Sequence, residues 1–480
     1  MDKIKAYLFT NKTAKQMFFK NTFWLTFGNI VSRVIKMVLI IYAARILGTA
    51  GYGVFSYALS LAAFFTIFSD LGLTALLTRE LIKKESEIER YLSTTFFLKI
   101  IVLLITILLT IFIAPYFTKI SEIKSVIPFV ALLLCFDSLR GFGYAITRSQ
   151  NRMEFEALFE IITNFVITVG GILILFVHPN PLSLTLSYAI GSGVGMLLVF
   201  IALNKRLRLV FHHFDKNLLY PIFSAAWPFA VVGLFGALML NIDTIIIGWF
   251  RSVSEVGLYG AAQRPISIFY LFPAILATSL FPIVSKMIKD NRTNDVRYIT
   301  EKSLLLSLAV AIPLMAGCIV LGENIIVLLF SKEYIGATLT FQLLALNLPL
   351  VFIGNLIGNI IFAYDEQKIF LYSTGFGGLT NVVFDLLLIP LFGIAGSAVA
   401  TFLSEIVSNG IVWVKLKKIL SFEIKGRLNK IILATIVMSI AIWLFGLIHI
   451  NTIINILFGI IIYFLTLYLL KEPLLREISL

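Results

Sequence analysis

Residues 452–470 read TIINILFGIIIYFLTLYLL and contain no charged side chain. A run of about 18 or more apolar residues, wound as an α-helix, matches the thickness of the hydrocarbon core of a bilayer. Residues 101–114 and 161–177 also lack charged side chains. These stretches predict membrane-spanning helices.

The composition of the whole chain agrees with this class. Of its 480 residues, 59% are hydrophobic and only 14% are charged, whereas a soluble domain needs more polar surface to cover its core. Other long apolar stretches along the chain predict further spans. We therefore predict an all-α polytopic membrane protein of about 14 transmembrane helices.

The basic residues set the orientation. The net charge is +13, and 29 of the 39 Lys and Arg residues fall in the segments predicted to be cytoplasmic, against five in the outer loops. Because short cytoplasmic loops carry an excess of Lys and Arg, this split predicts that the N- and C-termini are both cytoplasmic. It also accounts for the positive charge without nucleic acid as a partner.

The chain contains traces of an internal duplication. Residues 144–164 (YAITRSQNRMEFEALFEIITN) align with residues 361–381 (IFAYDEQKIFLYSTGFGGLTN), and GVFSYA at 53–58 echoes GLYGAA at 257–262. These echoes predict two duplicated six-helix lobes around a central cavity, plus two C-terminal helices. We predict an N-terminal lobe at 1–210, a C-terminal lobe at 211–420, and extra helices with a short cytoplasmic tail at 421–480.

Two further segments, ARILGTAGYG at 44–53 and IPLFGIAGSAVA at 389–400, resemble the polysaccharide transporter family. Its members are the repeat-unit flippases of the multidrug/oligosaccharidyl-lipid/polysaccharide (MOP) superfamily. The resemblance implies export of a polyprenyl-diphosphate-linked oligosaccharide by alternating access across the prokaryotic plasma membrane. It also implies membrane lipids as surroundings, and a polysaccharide polymerase and glycosyltransferases as pathway partners.

Charged side chains at bilayer depth are expensive and are therefore the best functional markers in this sequence. On the first helix Asn29, Arg33 and Lys36 share one face. On the fourth helix Asp137, Arg140 and Tyr144 do the same. We predict that these six residues line a substrate cavity in which the cations receive the diphosphate. The alternatives are structural contacts for Arg33 and Lys36, and an i,i+3 ion pair between Asp137 and Arg140.

Other intramembrane charges suggest gating or ion coupling. Asp243 and Arg264 are predicted at similar depth on consecutive helices, as a static ion pair or a gate that breaks and reforms. Three further buried carboxylates, Asp70, Asp385 and Glu405, could bind Na⁺ or a proton, and pairing with a Lys or Arg is the alternative. Lys99 is expected to snorkel to the inner surface.

Two other function classes compete with the flippase. A cation-coupled multidrug exporter would favour a cavity dominated by carboxylates, whereas the first helix here carries Arg33 and Lys36. A membrane glycan polymerase or ligase would need a sizeable outer loop. The chain has no GxxxxGK[ST] loop and no spacing typical of a metal site, so we expect neither an enzyme nor a cofactor, apart from possible Na⁺ or H⁺ coupling.

Overall fold

The computed structural model describes residues 14–83, 87–118, 120–204, 210, 213–424, 428–448 and 450–472. Most of each predicted cytoplasmic tail and most of the loop at 205–212 lie outside this range. Nearly all of the described residues are helical, and none of them forms a strand. The predicted all-α class is confirmed.

The chain divides into two compact units, Met1–Gly257 and Leu258–Leu480. The helices that begin in the first unit are α1 (Ala14–Phe68), α2 (Leu73–Lys83), α3 (Ile88–Ile113), α4 (Ser121–Ser149), α5 (Met153–Val177), α6 (Pro181–Ala202), α7 (Leu219–Phe250) and α8 (Val253–Phe269), which ends in the second unit. The lobe boundaries predicted at residues 210 and 420 stay predictions.

The second unit continues with α9 (Leu271–Lys289), α10 (Thr293–Val320), α11 (Gly322–Phe330), α12 (Thr338–Ala345), α13 (Asn347–Ala363), α14 (Lys368–Ile419), α15 (Asn429–Leu447) and α16 (Thr452–Leu469). Short 3₁₀ turns occupy Ala114–Phe117, Lys216–Leu218 and Lys332–Ala337. Core clusters of this unit include one formed by α9, α10, α13 and α14 and another formed mainly by α15 and α16.

Two very long helices each contain a sharp break at a glycine. Gly48 within α1 has φ of 64°, and Gly393 within α14 has φ of 60°. A positive φ is accessible to glycine at little cost, so the chain can reverse with almost no loop. Eleven helices in the described chain are long and apolar enough to cross a membrane. These eleven include α14 as a single helix and do not include α1. Because the breaks at Gly393 and Gly48 divide each of these helices into two spans, the total is the predicted fourteen.

Another break follows α1 and leads into α2. Leu71 and Gly72 both have positive φ, of 43° and 77°. A β-carbon built on Gly72 would lie 2.4 Å from the carbonyl oxygen of Ala226 on α7, so only glycine fits this close approach. The break places Asp70 in the turn between α1 and α2, inside the first unit.

Candidate functional site

Arg140 on α4 lies among polar groups from three helices. Its guanidinium nitrogen is 2.9 Å from an oxygen of Asp137, one turn earlier on the same helix, and 3.9 Å from an oxygen of Glu160 on α5. Helical spacing of three residues brings Asp137 and Arg140 together. The i,i+3 pair considered from sequence is therefore present, and Arg140 has a second acidic neighbour besides.

Glu160 connects α4, α5 and α1. It accepts a hydrogen bond of 3.1 Å from the hydroxyl of Tyr144 and another of 3.0 Å from the amide of Asn164. It also lies within electrostatic range of Lys36 on α1. The sequence reasoning missed Glu160, although a carboxylate within the fifth predicted helix, directly before its charge-free run at 161–177, was a usable signal.

Ser192 of α6 completes the cluster. Its hydroxyl is fully buried, donates to Asp137, and accepts a hydrogen bond of 3.4 Å from Arg140. We call the set Lys36, Asp137, Arg140, Tyr144, Glu160, Asn164 and Ser192 the Arg140 network. Nothing in the local sequence around Ser192 distinguishes it from the other small residues of α6.

The three residues predicted on one face of the first helix differ in their exposure and contacts. Lys36 is half-buried, with its ammonium nitrogen 5.5 Å from the ring centre of Tyr188. Arg33 and Asn29 are exposed on the isolated chain, and Asn29 donates a hydrogen bond to the carbonyl of Leu25, four residues earlier. Of these three residues, Lys36 is the one that lies within electrostatic range of Glu160.

Helix α1 is fixed along α5 at three levels. Near the predicted cytoplasmic end, Lys20 lies 2.9 Å from Glu154. A β-carbon on Gly28 would lie 2.7 Å from the β-carbon of Ala157, so the helix backbones approach closely there. Further along, Thr168 donates a hydrogen bond of 3.3 Å to the carbonyl of Ile35. These contacts set the position of Lys36 relative to Glu160.

Formal charges in the region balance only in part. Asp137 and Glu160 offset the charges of Arg140 and Lys36, and Arg33, one turn before Lys36, adds a third positive charge. Arg140 retains 13% of its side-chain exposure, and Asp137 and Glu160 about a third. The cations are held in place yet are not sealed from their surroundings.

Asp70 and Lys99 form a second ion pair, in which Lys99 is buried and Asp70 is half-buried. The ammonium of Lys99 donates to Asp70, which also accepts from Thr74. The Lys99 side chain is only 1% exposed, so the expectation that it snorkels to the surface was wrong: Asp70 neutralises it within the protein. A cavity of about 370 Å³ is lined by Asp70, Lys99 and Asp137 and so adjoins the Arg140 network.

The other predicted site residues lie elsewhere. Asp243 is buried in the first unit and Arg264 is half-buried in the second, and their pairing as a gate stays a prediction. Asp385 is fully buried on α14. Glu405, on the same helix, is half-buried and accepts a hydrogen bond of 2.7 Å from Asn409. The roles of Asp70, Asp385 and Glu405 in ion coupling stay predictions.

Comparison with known families decides the wider classification. Residues 18–288, more than half of the chain, match the polysaccharide biosynthesis protein family. The chain belongs to this family. Residues 228–387 also match the MatE family. Together these matches confirm the resemblance to the MOP superfamily that the segments at 44–53 and 389–400 suggested.

Individual relatives cover almost the whole chain. It is 25% identical over 467 residues to a probable low-salt glycan biosynthesis flippase of Haloferax volcanii, covering 94% of this chain and 96% of the relative. It is 23% identical over 472 residues to the lipid II flippase MurJ of Bacillus subtilis, with coverages of 88% and 86%.

Solved structures show the same fold. The structure of a lipid II flippase MurJ in an inward closed conformation superposes with a TM-score of 0.79 at 20% identity, covering 94% of this chain and 99% of the other. An inward-facing multidrug resistance MATE transporter of the MOP superfamily gives 0.62 at 13% identity, with coverages of 86% and 97%. The chain therefore has a MurJ- and MATE-like fold.

Proposed function

We propose that this multi-pass membrane protein is a flippase that moves a polyprenyl-diphosphate-linked oligosaccharide across the prokaryotic plasma membrane. Its near full-length similarity to proteins named as glycan and lipid II flippases supports the proposal. Glycan and diphosphate cannot cross about 30 Å of hydrocarbon unaided, so such a protein must shelter both. The proposal includes cytoplasmic termini and movement by alternating access.

One observation carries the assignment of the site: Lys36 of α1 and Arg140 of α4 both approach the same carboxylate, Glu160. In this arrangement Glu160 and Asp137 hold the cations in position before the substrate arrives. A diphosphate then offers oxygens that compete with Glu160 for Arg140 and Lys36. Arginine suits this exchange because its fork can bind two oxygens at once, and lysine adds a point charge.

Arg33 extends the same positive face by one helical turn, and we propose that it contacts the substrate before Lys36 and Arg140 do. Asn29 and Tyr144 complete the proposed contact set. Tyr144 has a further role in the network because its hydroxyl donates to Glu160 and its ring lies 5.9 Å from the Arg140 guanidinium. Its substrate role is therefore best tested after that of the cations.

We further propose that export is coupled to Na⁺ or H⁺ through Asp385 or Glu405. Asp70 is the weaker candidate, since Lys99 already neutralises it. Pathway enzymes such as a polysaccharide polymerase and glycosyltransferases are the expected partners. No bond-forming activity is expected, so purified protein should leave a lipid-linked repeat unit unpolymerised.

The assignment is tested by restoring glycan export in cells lacking the gene. Arg33→Ala, Lys36→Ala and Arg140→Ala should each reduce surface glycan at least about ten-fold at normal protein levels, because each removes a charge-assisted contact worth about 1.5–3 kcal/mol. Arg152→Ala is the matched control: Arg152 is an exposed cation at the turn between α4 and α5. Full export by all three variants would contradict the site.

A second candidate, a cation-coupled drug exporter, rests on the match of residues 228–387 to the MatE family. Deletion of the gene distinguishes the two functions. The flippase proposal requires loss of surface glycan with unchanged drug susceptibility, whereas greater drug susceptibility with intact glycan would favour the exporter.

A further inference from the structure

The second unit carries a groove along the final part of α14. It has a volume of about 540 Å³, and its wall is aliphatic from Ile406 through Gly410 to Val414. Lys415 and Lys418 close one end. The groove thus combines an apolar channel with a basic terminus.

Gly410 keeps the middle of the groove open. A β-carbon built at this position would meet no other atom within 4 Å. Ile406 and Val414, one turn before and one turn after, are 44% and 55% exposed and face outward from the protein. An unbranched hydrocarbon chain can therefore lie along this surface without displacing any side chain.

The length of the groove matches one leaflet of a bilayer. Twelve residues separate Ile406 from Lys418, which corresponds to about 18 Å of helix. Half of the hydrocarbon core measures about 15 Å. The basic end lies close to the end of α14 at Ile419, and the charge distribution predicts that this end is cytoplasmic.

The lysines near this end are held differently. Lys417 donates to the carbonyl of Phe422, lies 4.2 Å from the centre of that ring, and does not line the groove. Lys415 is 2.8 Å from Glu366, which fixes its ammonium beside the groove. Lys418 is exposed at the groove itself and brings three hydrogen-bond donors.

We propose that this groove binds an anionic phospholipid of the inner leaflet. The phosphate contacts Lys418 and Lys415, and one acyl chain follows the wall from Val414 to Ile406. Basic pockets at the cytoplasmic ends of membrane helices suit anionic headgroups, and a lipid with no net charge gains less from them. The site belongs to the second unit and does not depend on the assignment of the Arg140 network.

Photolabelling of the full chain tests the proposal. The protein is placed in phosphatidylcholine nanodiscs with a trace of phosphatidylglycerol that carries a diazirine on one acyl chain, or with phosphatidylcholine that carries the same chain. Mass spectrometry then maps the labelled peptides. Phosphatidylglycerol should label residues 406–414 at least about five-fold more than phosphatidylcholine, the ratio expected from one lysine near the headgroup.

Three variants separate charge from shape. Lys418→Glu should lower phosphatidylglycerol labelling about five-fold or more, whereas Lys289→Glu, at an exposed basic position at the end of α9, should leave it unchanged. Gly410→Leu should fill the groove and lower labelling by both probes. Circular dichroism and thermal unfolding confirm that each variant is folded.

Three results would overturn the proposal. One is equal labelling of residues 406–414 by the two lipids. Another is an equal loss of labelling in Lys418→Glu and Lys289→Glu. The third is complete displacement of the phosphatidylglycerol probe by an equimolar polyprenyl diphosphate, which would assign the groove to the transported substrate.

Discussion

Two ion-paired clusters lie side by side in the first unit, and they differ in how firmly their cations are held. In the Arg140 network one guanidinium is shared among Asp137, Glu160 and Ser192, and its two carboxylates are about a third exposed. In the Asp70 pair, Lys99 is only 1% exposed, while its partner Asp70 is 28% exposed, much like the carboxylates of the Arg140 network. The two clusters thus differ in their cations: Lys99 is buried against Asp70, whereas Arg140 is 13% exposed and is shared among several groups.

The difference follows from the backbone around each cluster. Asp70 lies at the break between α1 and α2, where Leu71 and Gly72 have positive φ, and it also accepts from Thr74 in the first turn of α2. The Asp70 pair therefore holds a helix break. The Arg140 network instead spans α4, α5 and α6, and no residue within these three helices has a positive φ. We interpret the first cluster as structural and the second as available to a ligand.

The largest expected loss of stability comes from breaking the ion pair between Asp70 and Lys99. Lys99→Met leaves the carboxylate of Asp70 without its cation, which should cost about 3 kcal/mol, the lower end of the range for buried pairs, because Asp70 is 28% exposed. Thermal unfolding of the purified protein should show a much lower midpoint or little folded protein. The double variant Lys99→Met/Asp70→Asn should recover part of the loss, since no charge remains. An unchanged midpoint for Lys99→Met would remove the structural interpretation.

A smaller loss of stability should follow from separating α1 and α5, two of the helices that carry the Arg140 network. Gly28→Ala places a methyl group 2.7 Å from Ala157, so α1 must move away from α5. We expect about 1–3 kcal/mol of destabilisation from this overpacking and a larger proportional loss of glycan export, because Lys36 moves relative to Glu160.

Gly141→Ala is the control for this substitution. Gly141 lies on α4, and a β-carbon there would have no neighbour within 4 Å. Its stability should be equal to or slightly above that of the unchanged protein, since alanine favours helix more than glycine does. If both alanine variants export glycan normally, the spacing of α1 and α5 has no functional role.

The sequence was most informative where the physical cause is local. Long uncharged runs predicted the helices, because hydrocarbon thickness alone sets their length. The pairing of Asp137 with Arg140 was also foreseen as an alternative, since three residues of helix fix their distance. The segment around Gly48 was recognised as a family motif, but its residues did not predict the positive φ at which the helix breaks.

Contacts between distant segments were not accessible in the same way. Glu160 and Ser192 reach Arg140 from other helices, and the rotation of each helix about its axis depends on packing that one sequence does not define. Lys99 was expected to snorkel because it lies about 10 Å from the inner end of its predicted helix, and its partner Asp70 is 29 positions earlier in the chain. In the structure Asp70 lies directly before the break at Leu71 and Gly72, where it accepts a hydrogen bond from Lys99.

The central claim is that Arg140 serves the substrate and not only its neighbouring carboxylates. It is tested most directly by comparing Arg140→Ala with Arg140→Ala/Glu160→Gln for both thermal unfolding and glycan export. A control pair, Arg148→Ala/Glu156→Gln, removes the other Arg–Glu contact between α4 and α5, which closes the turn between them with a hydrogen bond of 2.8 Å.

The double variant at Arg140 should regain most of its thermal stability, because the carboxylate left behind is neutralised, while export remains lost. The control pair should retain both stability and export. Recovery of export in Arg140→Ala/Glu160→Gln would contradict the account, since Arg140 would then act only as the structural partner of Glu160.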